Sequence, residues 1–152
     1  MSKVNLGKSF LCAIKGIAWG VSYDRNTMIH VAMGIITIAI SVVLGISRID
    51  FIIILFTCFL AMTMELLNNG IERLTDVISP NYNNKIGKIK DLMSGVVLVT
   101  DIFAVTIGML VLYNPLIMML NINPFYPFLA FFFLNLIICP IILIFIIKRK
   151  IR

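Results

Sequence analysis

Charge is what this chain has least of. Asp, Glu, Lys and Arg make up 13% of its 152 residues, about half of the roughly 25% usual in soluble domains. So little charge excludes a disordered chain. Histidine occurs once; His30 has no second ligand near it in sequence and reads as an interfacial side chain rather than a metal ligand. Cys12, Cys58 and Cys139 lie far apart without a C-x-x-C pair, so they read as packing residues, not as disulfides or a zinc site. The first nine residues lack an apolar core and a cleavage site, so no signal peptide is expected. The soluble nucleotide signatures G-x-x-x-x-G-K-[ST], G-x-G-x-x-G and H-R-D are missing as well. Apolar residues, by contrast, fill 61% of the sequence. A chain this short has no soluble interior large enough to hide them, and the composition is that of an all-α membrane protein.

The net charge of +6 raises the question of nucleic acid, but no basic face interleaved with aromatics is present, and none is expected to bind. Basic residues flank apolar runs instead. Residues 8–21 form an amphipathic helix, with Phe10, Ile14, Ile17 and Val21 at helical spacing and Lys8 and Lys15 on another face, as suits a helix on a membrane surface. Apolar spans follow at about 28–46, 51–70 and 92–113. A polar loop at Ser79–Gly87 separates the second from the third. These compose a domain of residues 1–120. Residues 121–152 add a fourth span, 125–147, and a basic tail.

Four spans leave five exposed segments on alternating sides. The first, third and fifth hold Lys3, Lys8, Lys15, Arg25, Arg73, Lys85, Lys88, Lys90, Lys148, Arg149, Lys150 and Arg152, which is twelve of the thirteen basic residues. Arg48 alone lies on the other side. The positive-inside rule then puts both termini and the central loop in the cytoplasm.

Acids are costly in a membrane, so each of the seven needs a reason. Glu65, Asn68, Glu72 and Asp76 share one helical stripe at the end of the second span. Lys90 and Asp91 enter the third span opposite it, and Asp24, Arg25 and Asn26 enter the first. Carboxylates, an amide and a lysine at one membrane boundary suit a divalent ion holding a phosphate, and hard oxygen ligands favour Mg²⁺. The same residues also suit a solvated helix end with incidental acids. An ion pathway is disfavoured because the acids gather at one end, Asp101 excepted, and Asp101 has no explanation in the sequence.

The run M-E-L-L-N-N-G-I-E-R-L-T-D (64–76), followed by G-K-I-K-D (87–91), resembles the bacterial integral-membrane diacylglycerol kinase and undecaprenol kinase family, whose pattern is E-h-L-N-[TS]-A-I-E-x-h-x-D and then x-A-K-D. S-F-x-x-A-x-x-G-I at Ser9–Ile17 and R-N-x-x-I-H at Arg25–His30 look like its polyprenol branch. The resemblance implies an ATP-dependent lipid kinase of the bacterial cytoplasmic membrane that uses Mg²⁺ and works as a homotrimer on undecaprenol, with diacylglycerol or a catalytically silent scaffold as the alternatives. It implies Glu65 as the general base, with Asn68 in the same catalytic motif. Asp24 and Glu72 are implied as metal and nucleotide ligands, and Tyr82, Asn83, Lys90 and Asp91 as nucleotide contacts. Ser94, with Glu65, is implied at the lipid headgroup. Asp24 is one methylene shorter than the family's glutamate, Asn83 stands where histidine is common, and Asn69-Gly70 replaces a small residue and alanine.

Overall fold

A computed structural model describes residues 6–81 and 83–121. Their regular structure is entirely helical: α1 (Leu6–Tyr23), α2 (Arg25–Val43), α3 (Arg48–Ile78) and α4 (Asn84–Leu120). By length and composition α2, α3 and α4 are each able to cross a membrane, as the all-α membrane reading expects. The described residues through Leu112 belong to one compact unit, and those from Tyr113 onward to a second. The fourth span expected at 125–147 and its basic tail lie outside the described residues.

Each helix outruns or shifts from its apolar core because local capping, not hydropathy, sets the ends. Asp24 starts α2 three residues before the apolar run by accepting the Thr27 N–H at 2.7 Å. Gly45 ends it, with a positive φ of 59° that only glycine adopts without strain. Ser47 then starts α3. Its Oγ accepts the Asp50 N–H at 3.2 Å while its hydroxyl donates to Asp50 Oδ2 at 2.7 Å, a reciprocal cap. The four-residue turn 44–47 makes α2 and α3 an antiparallel hairpin, and α1 packs against both.

The expected loop at 79–87 is half helical. Asn83 Oδ1 accepts the Lys85 N–H at 2.9 Å and the Asn83 carbonyl accepts the Gly87 N–H at 2.9 Å, which launches α4 early. At its far end α4 runs through Asn114 and Pro115, residues assigned from sequence to an exposed segment. Proline removes one backbone hydrogen bond, which does not by itself end a helix in apolar surroundings.

Burial is inverted relative to a soluble protein. Thr27, Ser41, Thr57, Glu65, Asn69 and Thr75 are buried, whereas Ile54, Ala61 and Val97 are the buried apolar side chains among the described residues. Large apolar groups such as Ile35, Phe56, Phe59, Val99 and Leu110 are exposed. In hydrocarbon this arrangement is favourable, because lipid solvates the apolar groups and neighbouring helices satisfy the polar ones. Hydroxyls along the helices also satisfy themselves: Thr37, Ser41, Thr57, Thr63, Thr100 and Thr106 each donate to the carbonyl four residues earlier, at 2.7–2.9 Å.

Contact across the hairpin fixes how far α3 projects. Asn69 of α3 donates to Thr27, two residues inside the start of α2, so residues 72–78 continue past the start of α2, or about 10 Å at roughly 1.5 Å per residue. Glu72, Arg73 and Asp76 ride on this projection. There Arg73 stacks its guanidinium over Trp19 at 3.8 Å and Tyr23 at 4.7 Å, clamping the end of α1 to α3.

Gly20 is the buried residue of α1 and marks its closest approach to α3. A Cβ there would stand 2.8 Å from Leu66 Cδ2. Gly20→Ala is therefore expected to lower stability by under about 1 kcal/mol, because the end of a leucine side chain yields, whereas Gly20→Leu is expected to cost about 1–3 kcal/mol through overpacking. Thermal unfolding in detergent micelles, comparing both variants, checks this ordering.

Candidate functional site

The site is built where α2 begins, beside α3. Asn69 Nδ2 donates to Thr27 Oγ1 at 2.6 Å, and Thr27 Oγ1 donates in turn to Asp24 Oδ2 at 3.1 Å. The same Asp24 oxygen accepts the Thr27 N–H. An amide on one helix, a hydroxyl on the next and the carboxylate capping that helix thus form one directed chain of hydrogen bonds. Thr27 is fully buried and Asn69 nearly so. The aspartate at position 24 folds back to cap the helix, a role in which aspartate is preferred and glutamate is not.

Asp24 feels two opposed influences. Burial, the larger single one, raises its pKa; the hydrogen bonds from the Thr27 N–H, the Asn69 side chain, the Thr27 hydroxyl and the Asn26 N–H together outweigh it and hold the carboxyl below the ordinary 3.8.

One turn farther into α3 lies Glu65, only 2% exposed. No described group hydrogen-bonds its carboxylate. Asp24, Glu72, Asp101 and His30 are all near enough to act on it electrostatically. Of the residues expected at the site, Asp24 and Glu72 thus both lie within electrostatic reach of Glu65. Of the stripe read from sequence, Glu65 is buried, Asn68 half-buried, and Glu72 and Asp76 exposed on the projecting turns. Asn69, not Asn68, is the amide that reaches α2, and sequence reasoning passed over it as a replacement for a small residue. Its signal was available: Glu65, Asn69 and Glu72 fall at i, i+4 and i+7, as good a stripe as one drawn through Asn68.

Across the α3–α4 joint, the Lys90 ammonium pairs with the Asp76 carboxylate. Asn83, Asp91 and Ser94 are exposed. Asn83 caps α4, and the Ser94 hydroxyl donates to the Lys90 carbonyl at 3.0 Å, leaving its oxygen lone pairs for another donor. Tyr82 lies outside the described residues. Between α1 and α3 a groove of about 380 Å³ runs past Gly16, Gly20, Leu66, Gly70 and Arg73 to Asn69.

His30, read from sequence as a lone interfacial side chain, has a partner. Its Nε2 lies 2.9 Å from Asp101 Oδ1 on α4, which gives that acid its first explanation.

As for a metal, no three of His, Cys, Asp and Glu gather into a cage among the described residues. Asp24 and Glu72, each within electrostatic reach of Glu65, nevertheless offer hard carboxylate oxygens. That donor set fits Mg²⁺, which is commonly held by one or two carboxylates together with substrate phosphates and water.

The Asp24 contribution has a defined pH window. Because its folded pKa is depressed, the stability it contributes is fully present above the ordinary value of 3.8 and is lost as pH falls through the folded value. Asp24→Ala is expected to cost about 1 kcal/mol at pH 7, in the range for a lost N-cap, with the difference from wild type vanishing in strong acid. Asp24→Asn, which still caps, is expected to retain most of the stability. Unfolding of the three proteins as a function of pH measures this.

Comparison with known proteins covers the same stretch of the chain. A family model described as prokaryotic diacylglycerol kinase matches residues 11–112. A diacylglycerol kinase of Synechocystis is 32% identical over 114 residues, covering 74% of this chain and 65% of that protein. The chain thus matches less than two thirds of that relative's length. An undecaprenol kinase of Bacillus subtilis is 29% identical over 104 residues, covering 68% of this chain and 85% of its own. With that match spanning α1 to α3 and most of α4, and enclosing Asp24, Glu65, Asn69, Glu72 and Lys90, the chain belongs to the prokaryotic diacylglycerol kinase family.

Proposed function

We propose that this chain is an ATP-dependent kinase of the bacterial cytoplasmic membrane that phosphorylates the hydroxyl of a lipid alcohol. The observation that carries the reading is Glu65: a carboxylate on a residue only 2% exposed, one turn inside the polar layer that joins α2 to α3, with its oxygens not sealed off. Such a group is held ready to accept a proton from a substrate hydroxyl. Glu65 removes the lipid hydroxyl proton as that oxygen attacks the γ-phosphorus of ATP; the bond to the β-phosphate oxygen breaks and ADP leaves. Asp24 and Glu72 would hold Mg²⁺, which would neutralise charge on the phosphates. Lys90 exchanges Asp76 for a phosphate oxygen, and Asn83, Asp91 and Tyr82 border the nucleotide. Asn68 and Asn69 order the turn between Glu65 and Glu72.

The apolar groove between α1 and α3 suits the hydrocarbon chain of the lipid, and Ser94 borders its headgroup. By the positive-inside rule, the basic residues flanking the spans support a cytoplasmic side for ATP, both termini and the site. A homotrimer completes the assembly. Undecaprenol is the favoured substrate, on the strength of the Ser9–Ile17 and Arg25–His30 signatures; diacylglycerol is the second, since one relative carries that name.

Purified protein in lipid nanodiscs, given ATP and equal amounts of the two lipids, is expected to phosphorylate undecaprenol in preference. A preference for diacylglycerol of about tenfold, or roughly 1.4 kcal/mol, reverses the substrate assignment, and transfer to neither overturns the kinase reading.

Two variants separate the roles. Glu65→Gln is expected to lower kcat by about 10²–10⁴-fold, the usual worth of a general base, with ATP binding nearly intact. Glu72→Gln is expected instead to raise the Mg²⁺ requirement and weaken ATP binding. Near-normal turnover of Glu65→Gln contradicts the base assignment.

A further inference from the structure

The polar interior contains a second constellation, deeper than the phosphate-facing end. Eleven residues separate Asp76 from Glu65 on α3, and eleven separate Lys90 from Asp101 on α4. Because Lys90 pairs with Asp76 and the helices run in opposite directions, Asp101 and Glu65 lie at one depth, about 16 Å inside that pair at roughly 1.5 Å per residue. His30, one turn inside Thr27 on α2, lies at the same level. Three helices therefore contribute one ionisable group each to a single layer.

The hydrogen bonds of His30 are restrictive. Nδ1 lies 2.9 Å from the Asn26 carbonyl oxygen, which only accepts, so Nδ1 carries a hydrogen. Nε2 faces the Asp101 carboxyl at 2.9 Å. An ionised Asp101 therefore requires a second ring hydrogen on Nε2, and the ring is then a cation. The ring and Asp101 are both largely shielded, with side chains 18% and 35% exposed. Around Glu65, the charged groups that act on it are the acids Asp24, Glu72 and Asp101 and one base, His30. Without that base, Glu65 would be an enclosed anion whose charged neighbours are all anions, a costly state for a carboxylate in a membrane.

We propose that His30, oriented and held cationic by Asp101, is the positioning residue that supplies the counter-charge for Glu65. This rests on the kinase reading of Glu65. Asp101 fixes the ring through Nε2, the Asn26 carbonyl fixes it through Nδ1, and the cation keeps Glu65 able to accept a proton from the lipid hydroxyl. His30 itself touches no substrate.

A readout independent of activity is available because His30 is the chain's single histidine. In ¹⁵N-histidine-labelled protein in nanodiscs at pH 7, wild type is expected to show both ring nitrogens protonated. Asp101→Asn is expected to show a neutral ring with its hydrogen on Nδ1. A neutral ring in wild type overturns the proposal. In phosphoryl transfer, His30→Gln is expected to lower kcat by about tenfold or more, with KM for ATP changed by less than about threefold, and to regain turnover as pH is raised. Adding Asp101→Asn to His30→Gln removes the stranded acid and is expected to recover part of the lost rate. A mere tie between α2 and α4 predicts the opposite pattern: both single variants and the double equally impaired, with no recovery at high pH, and that result overturns the role. If wild type transfers no phosphate, the kinase reading fails and the catalytic role with it, while the nitrogen spectra still report whether the ion pair exists.

Discussion

Hydrocarbon offers no hydrogen bonds, and this one constraint orders the whole molecule. Every polar group that enters the membrane must be satisfied by the chain itself. Most hydroxyls meet the requirement locally, by bonding back to their own helix. A few polar groups do not, and these hold the helices together. Asn69, Thr27 and Asp24 form a three-membered bridge between α3 and the start of α2, His30 and Asp101 join α2 to α4, and Asp76 and Lys90 join the ends of α3 and α4. Apolar packing plays a lesser part, since lipid competes equally well for those surfaces.

The same bridges locate the chemistry. With Asn69 docked on Thr27, the last turns of α3 project past α2, which exposes Glu72 and Asp76 while Glu65 stays enclosed. One helix thereby presents an exposed carboxylate suited to a metal and a buried one suited to proton transfer, seven residues apart. Arg73 braces this projection by stacking on Trp19 and Tyr23 of α1. On the proposed kinase reading, two carboxylates in contrasting surroundings take different tasks because of those surroundings, without any difference in residue type.

Much of this was legible in the sequence, and the illegible parts share a cause. The helices and their apolar cores follow from periodicity and from the position of rare charges. Helix ends did not follow from hydropathy, because Asp24, Ser47 and Asn83 cap according to side-chain length and local geometry. Asn69 was obscured by its neighbour Asn68, since spacings of three and four residues both fit a helical face, and only the direction of α2 decides between them. His30 and Asp101 are 71 positions apart; their pairing depends on the relative depth of two helices, which becomes visible once Lys90 and Asp76 set the register.

The claim on which everything else depends is that the buried polar bridge between α2 and α3 holds the site together. A double-mutant cycle on Thr27→Val and Asn69→Leu, read by unfolding in micelles alongside turnover, measures it directly. The account predicts a coupling of about 0.6 kcal/mol, the average for hydrogen bonds between membrane helices, and at most about 1.7 kcal/mol, with turnover falling in each single variant. Coupling indistinguishable from zero, with turnover unchanged, would contradict it.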